Sequence, residues 1–286
     1  MNIEQELKQK EGWVLGNSET EYTSTYDKSK LVGMSRTMGD RRKGFKPMSG
    51  FDIWTAFEFS FLKPNGLPFF GVMRVAVDCN TPNFIESKSF KLYLNTFNNT
   101  IFESTEEALK TVQQDLEEVT QGNVYTWIVD EFPDSYLNLG LEKVHPNVIC
   151  KDYTYKKPLL KVKKETKLTY QCFNTNVLRS NCEITNQPDW ATVYVDYTGT
   201  KEIDTESFLK YIVSYRNYQG FHEPTCERIF QDLLEITKAK ELEVVCMYTR
   251  RGGIDINPIR FKEEDMIWGS DNFYSYLKEF TRQISQ

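Results

Sequence analysis

The chain has 286 residues, of which 40% are apolar and 27% charged, and its net charge is −6. That length suggests one large domain or two modest ones, with either half long enough to bury a core, and the composition excludes a disordered chain. No apolar run approaches the ~20 residues that cross a bilayer, and the polar start Met1-Asn2-Ile3-Glu4-Gln5 has no signal-peptide core. A cytoplasmic protein with no membrane partner is therefore expected. The acidic balance argues against long nucleic acid, which needs a broad basic face. A small phosphorylated ligand needs only a few local cations, and Arg41-Arg42-Lys43 is one candidate, with a solvated loop as the plainer reading.

The six cysteines, at 79, 150, 172, 182, 226 and 246, form no CxxC pair. A zinc ribbon or thioredoxin-type redox site has no support, and free thiols are expected. His145 and His222 are the only histidines, which excludes any three-histidine site and starves most catalytic zinc sites. No metal is expected.

In chain order, the first fifty residues read as an irregular lead-in. Phe51–Phe59 alternates as a strand with Phe51, Ile53, Phe57 and Phe59 on one face. Asn65-Gly66 turns the chain into a returning strand at Phe69–Asp78. A helix is expected over Phe84–Phe97, and a second after Ser104, where Ser104 and Glu107 form a capping box ahead of Leu109, Val112, Leu116 and Val119. Val124–Val129 and Val148–Tyr155 read as strands. The second half repeats this order: strands at Leu159–Phe173 and Ala191–Tyr197 joined by a long polar connection, helices at Thr205–Tyr218 and Glu223–Thr237, and strands at Glu241–Tyr248 and Ile254–Phe261. Pro224 falls in the first helical turn, where proline is tolerated. Each half thus reads as an antiparallel sheet backed by helices, a repeat of pattern and not of letters, with the join near His145–Pro158.

No GxGxxG opens a helix after a strand, and no GxxxxGK[ST], GxSxG or HExxH is present. Other segments are more informative. Glu86-Ser87-Lys88-Ser89-Phe90-Lys91-Leu92-Tyr93 begins a helix, whose free N–H groups suit phosphate, with Ser87 and Lys88 adding a hydroxyl and a cation; an ordinary amphipathic helix starts the same way. Cys182 lies in a polar loop near Arg179, seven residues before Asp189, and a thiol beside a cation can act as a nucleophile; an exposed thiol without a role is the alternative. Phe221-His222-Glu223-Pro224 sets an imidazole and a carboxylate at a helix start, where simple capping also accounts for Glu223. Arg250-Arg251-Gly252-Gly253 is a hairpin turn whose glycines would also admit a ligand close to the backbone.

Together these blocks resemble the NADPH-dependent 7-cyano-7-deazaguanine reductases, the nitrile reductases of queuosine biosynthesis, in their long two-module form. The resemblance rests on Glu86–Tyr93, on Ser180-Asn181-Cys182 through Thr185-Asn186-Gln187-Pro188-Asp189-Trp190, on Phe221-His222-Glu223 and on Arg251–Pro258, with Leu15-Gly16, Glu21-Tyr22 and Tyr26-Asp27 in the lead-in. One departure is Glu183, where the family pattern leads to proline; it sets a carboxylate beside the thiol.

The resemblance implies an α+β fold of two tandem tunnelling-fold modules, 1–150 and 151–286, each an antiparallel four-stranded sheet with two antiparallel helices on one face. It implies Cys182 as nucleophile and Asp189 as proton donor, its acidity tuned by burial against Trp190. It places Ile85, Glu86, Ser87, His222 and Glu223 at the substrate, and Ser87, Lys88, Arg251 and Gly252 at NADPH. One carboxylate can accept both the ring N–H and the exocyclic amine of a deazaguanine; Glu223 is the first choice and Glu86 the second. The expected reaction takes nitrile to amine through a Cys182 thioimide with two NADPH, in a homodimer. A pterin-pathway cyclohydrolase, or a protein of this fold that binds a purine or pterin without turning it over, is the alternative; the two histidines do not supply the cyclohydrolase zinc motif.

Overall fold

Runs of apolar side chains build nine strands among the described residues, and the computed structural model describes residues 23–38, 41–129 and 140–262. Leu15-Gly16, Glu21-Tyr22 and the residues after 262 lie outside that set. A short ladder pairs β1 (Gly33–Ser35) with β4 (Asn83–Ile85). The main sheet has seven strands in the order β5-β3-β2-β9-β8-β7-β6, all antiparallel. Its members are β2 (Ser49–Leu62), β3 (Pro68–Asp78), β5 (Val124–Val129), β6 (Val162–Asn181), β7 (Pro188–Ile203), β8 (Glu241–Tyr248) and β9 (Ile254–Phe261). The fold is α+β with antiparallel sheets. The halves do not form separate sheets: β2 pairs with β9 from Ser49↔Phe261 to Ala56↔Ile254, fusing them into one.

Several expectations change. The odd-numbered aromatics of β2 do not share a face. A bulge between Ala56 and Phe59 shifts the register, so Phe51 and Ile53 face one side while Phe59 and Phe61 join Trp54 and Ala56 on the other. Phe84 and Ile85 are strand; helix α1 begins at Ser87 and runs to Asn95, with Glu86 as its N-cap. Glu107 does not close the box on Ser104: Ser104 Oγ accepts from Glu107 N, while Glu107 Oε2 accepts from Glu103 N at 2.7 Å. This still caps α2 (Thr105–Thr120). Val148–Tyr155 forms no strand, so among the described residues the first half supplies three strands to the sheet and not four. The connection between β6 and β7 is short, because both strands run on past their apolar stretches. The helix expected over Thr205–Tyr218 is α4 (Thr205–Val213) followed by a 3-10 turn at Ser214–Asn217. Helix α5 (His222–Thr237) includes Pro224 in its first turn. A four-residue helix, α3, covers Leu141–Val144.

The two halves share a skeleton of contacts that the residue letters hide. In the first, Tyr26 and Tyr93 both donate to Asp115 Oδ2, at 2.8 and 2.6 Å; in the second, Tyr155 and Tyr211 both donate to Asp232 Oδ2, each at 2.7 Å. Tyr93 and Tyr211 stand at the same place in nine-residue helices, and Asp115 and Asp232 at the same place in sixteen-residue ones. Ser89 Oγ accepts from Val32 N and donates to Glu86 O, while Ser207 Oγ accepts from Lys161 N and donates to Asp204 O. Asp27 N donates to Thr96 Oγ1, and Lys156 N to Ser214 Oγ. The pairing Gly33↔Ile85 answers to Val162↔Ile203.

Each helix pair covers its own core. One core gathers β2, β3, β5, α1 and α2 and takes in Ile254 and Ile256 from β9; the other gathers β6–β8, α4 and α5 and takes in Met48 and Leu141 from the first half. A third cluster, with Ile53, Ala76, Met247 and Ile259, lies on the opposite face across the β2–β9 seam. Neither half closes its core alone.

The paired aspartates give a stability test. Losing Asp232 takes one partner from the fully buried Tyr211, which keeps the Tyr215 hydroxyl at 2.8 Å, whereas losing Asp115 leaves the equally buried Tyr93 hydroxyl with no second hydrogen bond among the described residues. A buried donor left unpaired costs about 1–3 kcal/mol. Asp115→Ala should therefore lower the urea unfolding midpoint at least as much as Asp232→Ala, and Tyr211→Phe should cost only about 1 kcal/mol.

Candidate functional site

Each expected site residue sits at the end of an element, where a local backbone rule fixes it. The β1–β4 ladder delivers Ile85 and Glu86 to the start of α1. There Glu86 turns its carboxylate onto the helix: Oε1 accepts from Lys88 N at 3.0 Å and Oε2 from Ser89 N at 2.6 Å. This overturns the expectation that the amides at this helix start are open to phosphate, since the side chain of Glu86 already fills that place. Glu86 still lines the cleft, with both carboxylate oxygens already accepting from backbone amides.

The β6–β7 loop carries Cys182. Cys182 N donates to Gln187 O and Asn186 N donates back to Cys182 O, both at 2.9 Å, and Asn186 adopts a positive φ of 55°. The loop leans on the segment before α5, where Asn181 N donates to Tyr218 O and Gly220 N to Asn181 O. Asp189 starts β7 and is buried. The sequence reading has Trp190 burying that carboxyl, but successive strand residues point to opposite faces. Trp190 is 40% exposed and lies under the Arg216 guanidinium. The partners of Asp189 are Arg251, whose Nη2 is 2.9 Å from Oδ1, and His222, whose Nε2 is 3.6 Å from the same oxygen. Arg251 also donates to Pro188 O. Its turn needs Gly252 and Gly253, at φ 55° and 79°; a side chain at Gly253 would strike the Glu58 carboxylate.

At the start of α5, His222 stacks flat on Tyr248 with ring centroids 3.7 Å apart, and its Nδ1 is buried without a hydrogen-bond partner. An orphaned buried polar atom on a residue that lines a cleft fits a ligand or an ordered water. Glu223 is buried beside it. Burial, reinforced by the charge of Asp52, pushes its carboxyl from an ordinary 4.5 up to about 8, against the pull of a backbone hydrogen bond, Arg36 and Arg260.

All of these residues line one cleft. Ile85, Glu86, Ser87 and Lys88 from the first half meet Cys182, Asp189, His222, Glu223, Arg251 and Gly252 from the second around a volume of about 340 Å³. That is within the range of small-ligand sites. Most of the wall is apolar. Phe84 and Phe221, with ring centroids 5.4 Å apart, line it with Ile254 and Ile256 and provide a surface for a flat heterocycle. Sequence reasoning did not single out Phe84, because a lone aromatic gains this role only when the halves meet. At the mouth, Lys88 is exposed and the Arg251 side chain is 42% exposed. These two cations suit the phosphates of a dinucleotide, and Ser87 adds a hydroxyl. Arg41 and Arg42 are neither a phosphate site nor a solvated loop: Arg41 pairs with Glu183, and Arg42 with Glu227.

Comparison with known proteins bears on this cleft. A family model described as "Nitrile reductase, 7-cyano-7-deazaguanine-reductase N-term" matches residues 22–128, and one described as "QueF-like protein" matches residues 188–266. The chain belongs to the 7-cyano-7-deazaguanine reductase family. It is an oxidoreductase that reduces the nitrile of a small molecule, 7-cyano-7-deazaguanine, to 7-aminomethyl-7-deazaguanine in queuosine biosynthesis, with a nicotinamide cofactor. Among solved structures, the archaeosine synthase QueF-Like in the apo form is similar over 36% of this chain and 100% of its own, at 18% identity and a TM-score of 0.31, a likeness too loose to add to the argument. No described helix is long and apolar enough to cross a membrane.

In this reductase the Glu223 shift has two measurable consequences. Its carboxyl holds a proton more tightly folded than unfolded, so it destabilises the fold as pH rises from about 4.5 to about 8. Asp255, pushed up to about 6 by burial, acts in the lower part of that window. Glu223→Gln should therefore flatten the fall in melting temperature between about pH 6 and 8. If the ionised form accepts the two N–H donors of the substrate, Kd should rise as pH falls below about 8, by up to tenfold per unit. Glu86→Ala, by contrast, should cost about 1 kcal/mol of stability through the lost cap.

Proposed function

We propose that Cys182 forms a covalent thioimide with the nitrile, that Asp189 protonates the nitrile nitrogen, and that NADPH is the reductant, two per turnover. The observation that carries this reading is the convergence of Cys182, Asp189 and Glu223 on one apolar-walled cleft with Lys88 and Arg251 at its mouth. In the first step the Cys182 sulfur bonds to the nitrile carbon, one carbon–nitrogen π bond breaks, and the nitrogen takes a proton, with no change of oxidation state. The reduced nicotinamide, when bound, supplies hydride to the resulting C=N bond and again after Cys182 has left.

Asp189 donates through an oxygen that now faces both Arg251 and His222. Proton delivery requires the guanidinium to withdraw, and cofactor phosphates at the mouth are the natural rival for it. His222 stays behind to orient the carboxyl. Glu223 accepts the ring N–H and exocyclic amine of the deazaguanine, and Ile85, Glu86 and Ser87 border the base. Ser87, Lys88, Arg251 and Gly252 hold the cofactor, Gly252 because the space where a side chain would stand is open.

The same proposal extends to architecture: two tunnelling-fold modules, 1–150 and 151–286, in a homodimer. The repeated tyrosine–aspartate and serine contacts support the modules. Support for a dimer is that the described sheet ends on β5 and β6, whose outer edges suit pairing with a second copy.

The deciding experiment is intact mass after incubation with 7-cyano-7-deazaguanine and no NADPH. A gain equal to the whole nitrile, absent from Cys182→Ala, is expected; no gain with excess ligand and folded protein would refute the covalent route. Asp189→Asn should form the adduct, and turn over, about 10²–10⁴-fold more slowly, the span of general acid catalysis. Unchanged turnover would remove it from that role. Glu223→Ala should weaken substrate binding chiefly, read as Kd by titration calorimetry.

A further inference from the structure

Glu183 follows the nucleophile directly, and a carboxylate there opposes formation of the anionic sulfur. The fold answers it with a residue far away in sequence. Arg41, in the lead-in before β2, pairs through Nη2 with Glu183 Oε2. The Arg41 side chain is 14% exposed and that of Glu183 28%, so solvent screens this pair only in part. The guanidinium is held from two other directions: it lies 5.2 Å from the Phe221 ring centroid and 6.0 Å from that of Phe84, the two aromatics that line the cleft. Its neighbour Arg42 is anchored on Glu227 and on Cys79 O at 2.7 Å, so the backbone at 41–42 is fixed against the protein.

We propose that Arg41 is a positioning residue for the nucleophile: it neutralises Glu183 and ties the Cys182 loop to the aromatic wall of the cleft, so that Cys182 reacts as if no carboxylate followed it. The inference rests on the reading of Cys182 as the nucleophile. Two consequences set it apart from a packing role. The loss of Arg41 should harm Cys182 because Glu183 is charged, and deleting that charge should repair the harm. Lysine at 41, which keeps the charge but not the planar fork, should serve in part.

The test measures Cys182 reactivity in the full chain without cofactor. Iodoacetamide labelling is followed at the Cys182 peptide by mass, since Cys172 is exposed and reacts as well. Thioimide formation with 7-cyano-7-deazaguanine is followed in parallel by intact mass. Arg41→Met should slow both about tenfold, the effect expected of a carboxylate left unneutralised beside the sulfur. Arg41→Lys should slow them less, Glu183→Gln alone should stay within about twofold of the parent, and Arg41→Met with Glu183→Gln should return to within about threefold. A double variant as slow as Arg41→Met, with an unchanged melting temperature, would overturn the proposal by showing that Arg41 acts through packing alone. A parental rate in Arg41→Met would overturn it as well. If the labelling pattern holds but no variant, the parent included, forms the thioimide, the covalent mechanism fails while the Arg41–Glu183 coupling stands.

Discussion

Everything at the seam between the two halves depends on one buried cluster of charges. Arg260 on β9 donates to Asp52 on β2 at 2.7 Å and to Glu227 on α5 at 2.8 Å; Arg36 reaches the other oxygen of Asp52 at 2.6 Å, and Arg42 pairs with Glu227. Burial alone would push both carboxyls up, but the arginines outweigh it and hold Asp52 and Glu227 below their ordinary values. Charges removed from water are tolerable only when paired and hydrogen-bonded. The cluster therefore specifies one arrangement of β2, β9, α5 and the lead-in, and penalises every other.

That arrangement is what the cleft needs. Glu223 lies one turn before Glu227 on α5, so the helix that carries the proposed substrate carboxylate is the helix that the cluster clamps. Asp52 reaches Glu223 through its charge, and with burial it keeps the Glu223 carboxyl high. The same strands, β2 and β9, pair along the seam and bring the β8–β9 turn of Arg251 toward the α1 start of Lys88. A site shared between halves is stable here because the seam is both hydrogen-bonded as a sheet and locked by charge.

The chemistry of the cleft follows a division between scaffold and working groups. Glu86 is fully engaged in capping α1, and Trp190 faces away from Asp189. Arg41 and Arg42, adjacent in sequence, face carboxylates on different elements. In the cleft, His222 keeps a buried Nδ1 without a partner, Lys88 is exposed, and Arg251 is half exposed beside Asp189.

The sequence by itself determined most elements and pointed to residues that line one cleft. Strand alternation, helix periodicity and the Ser104 cap are local, so β3, β5, β8, β9, α2 and α5 were legible. The blocks around Glu86, Cys182, His222 and Arg251 were legible because each is a contiguous segment. The bulge in β2, the absence of a strand at Val148–Tyr155 and the short β6–β7 loop were not, since each depends on which neighbour pairs with the strand. Only the tertiary structure decided that Asp189 faces Arg251, that Arg41 answers Glu183, and that Asp115 and Asp232 play matching parts. These are contacts between residues tens to hundreds of positions apart. Their energy depends on distance and burial, and those quantities come into being only when β2 pairs with β9 and the two halves close over one cleft.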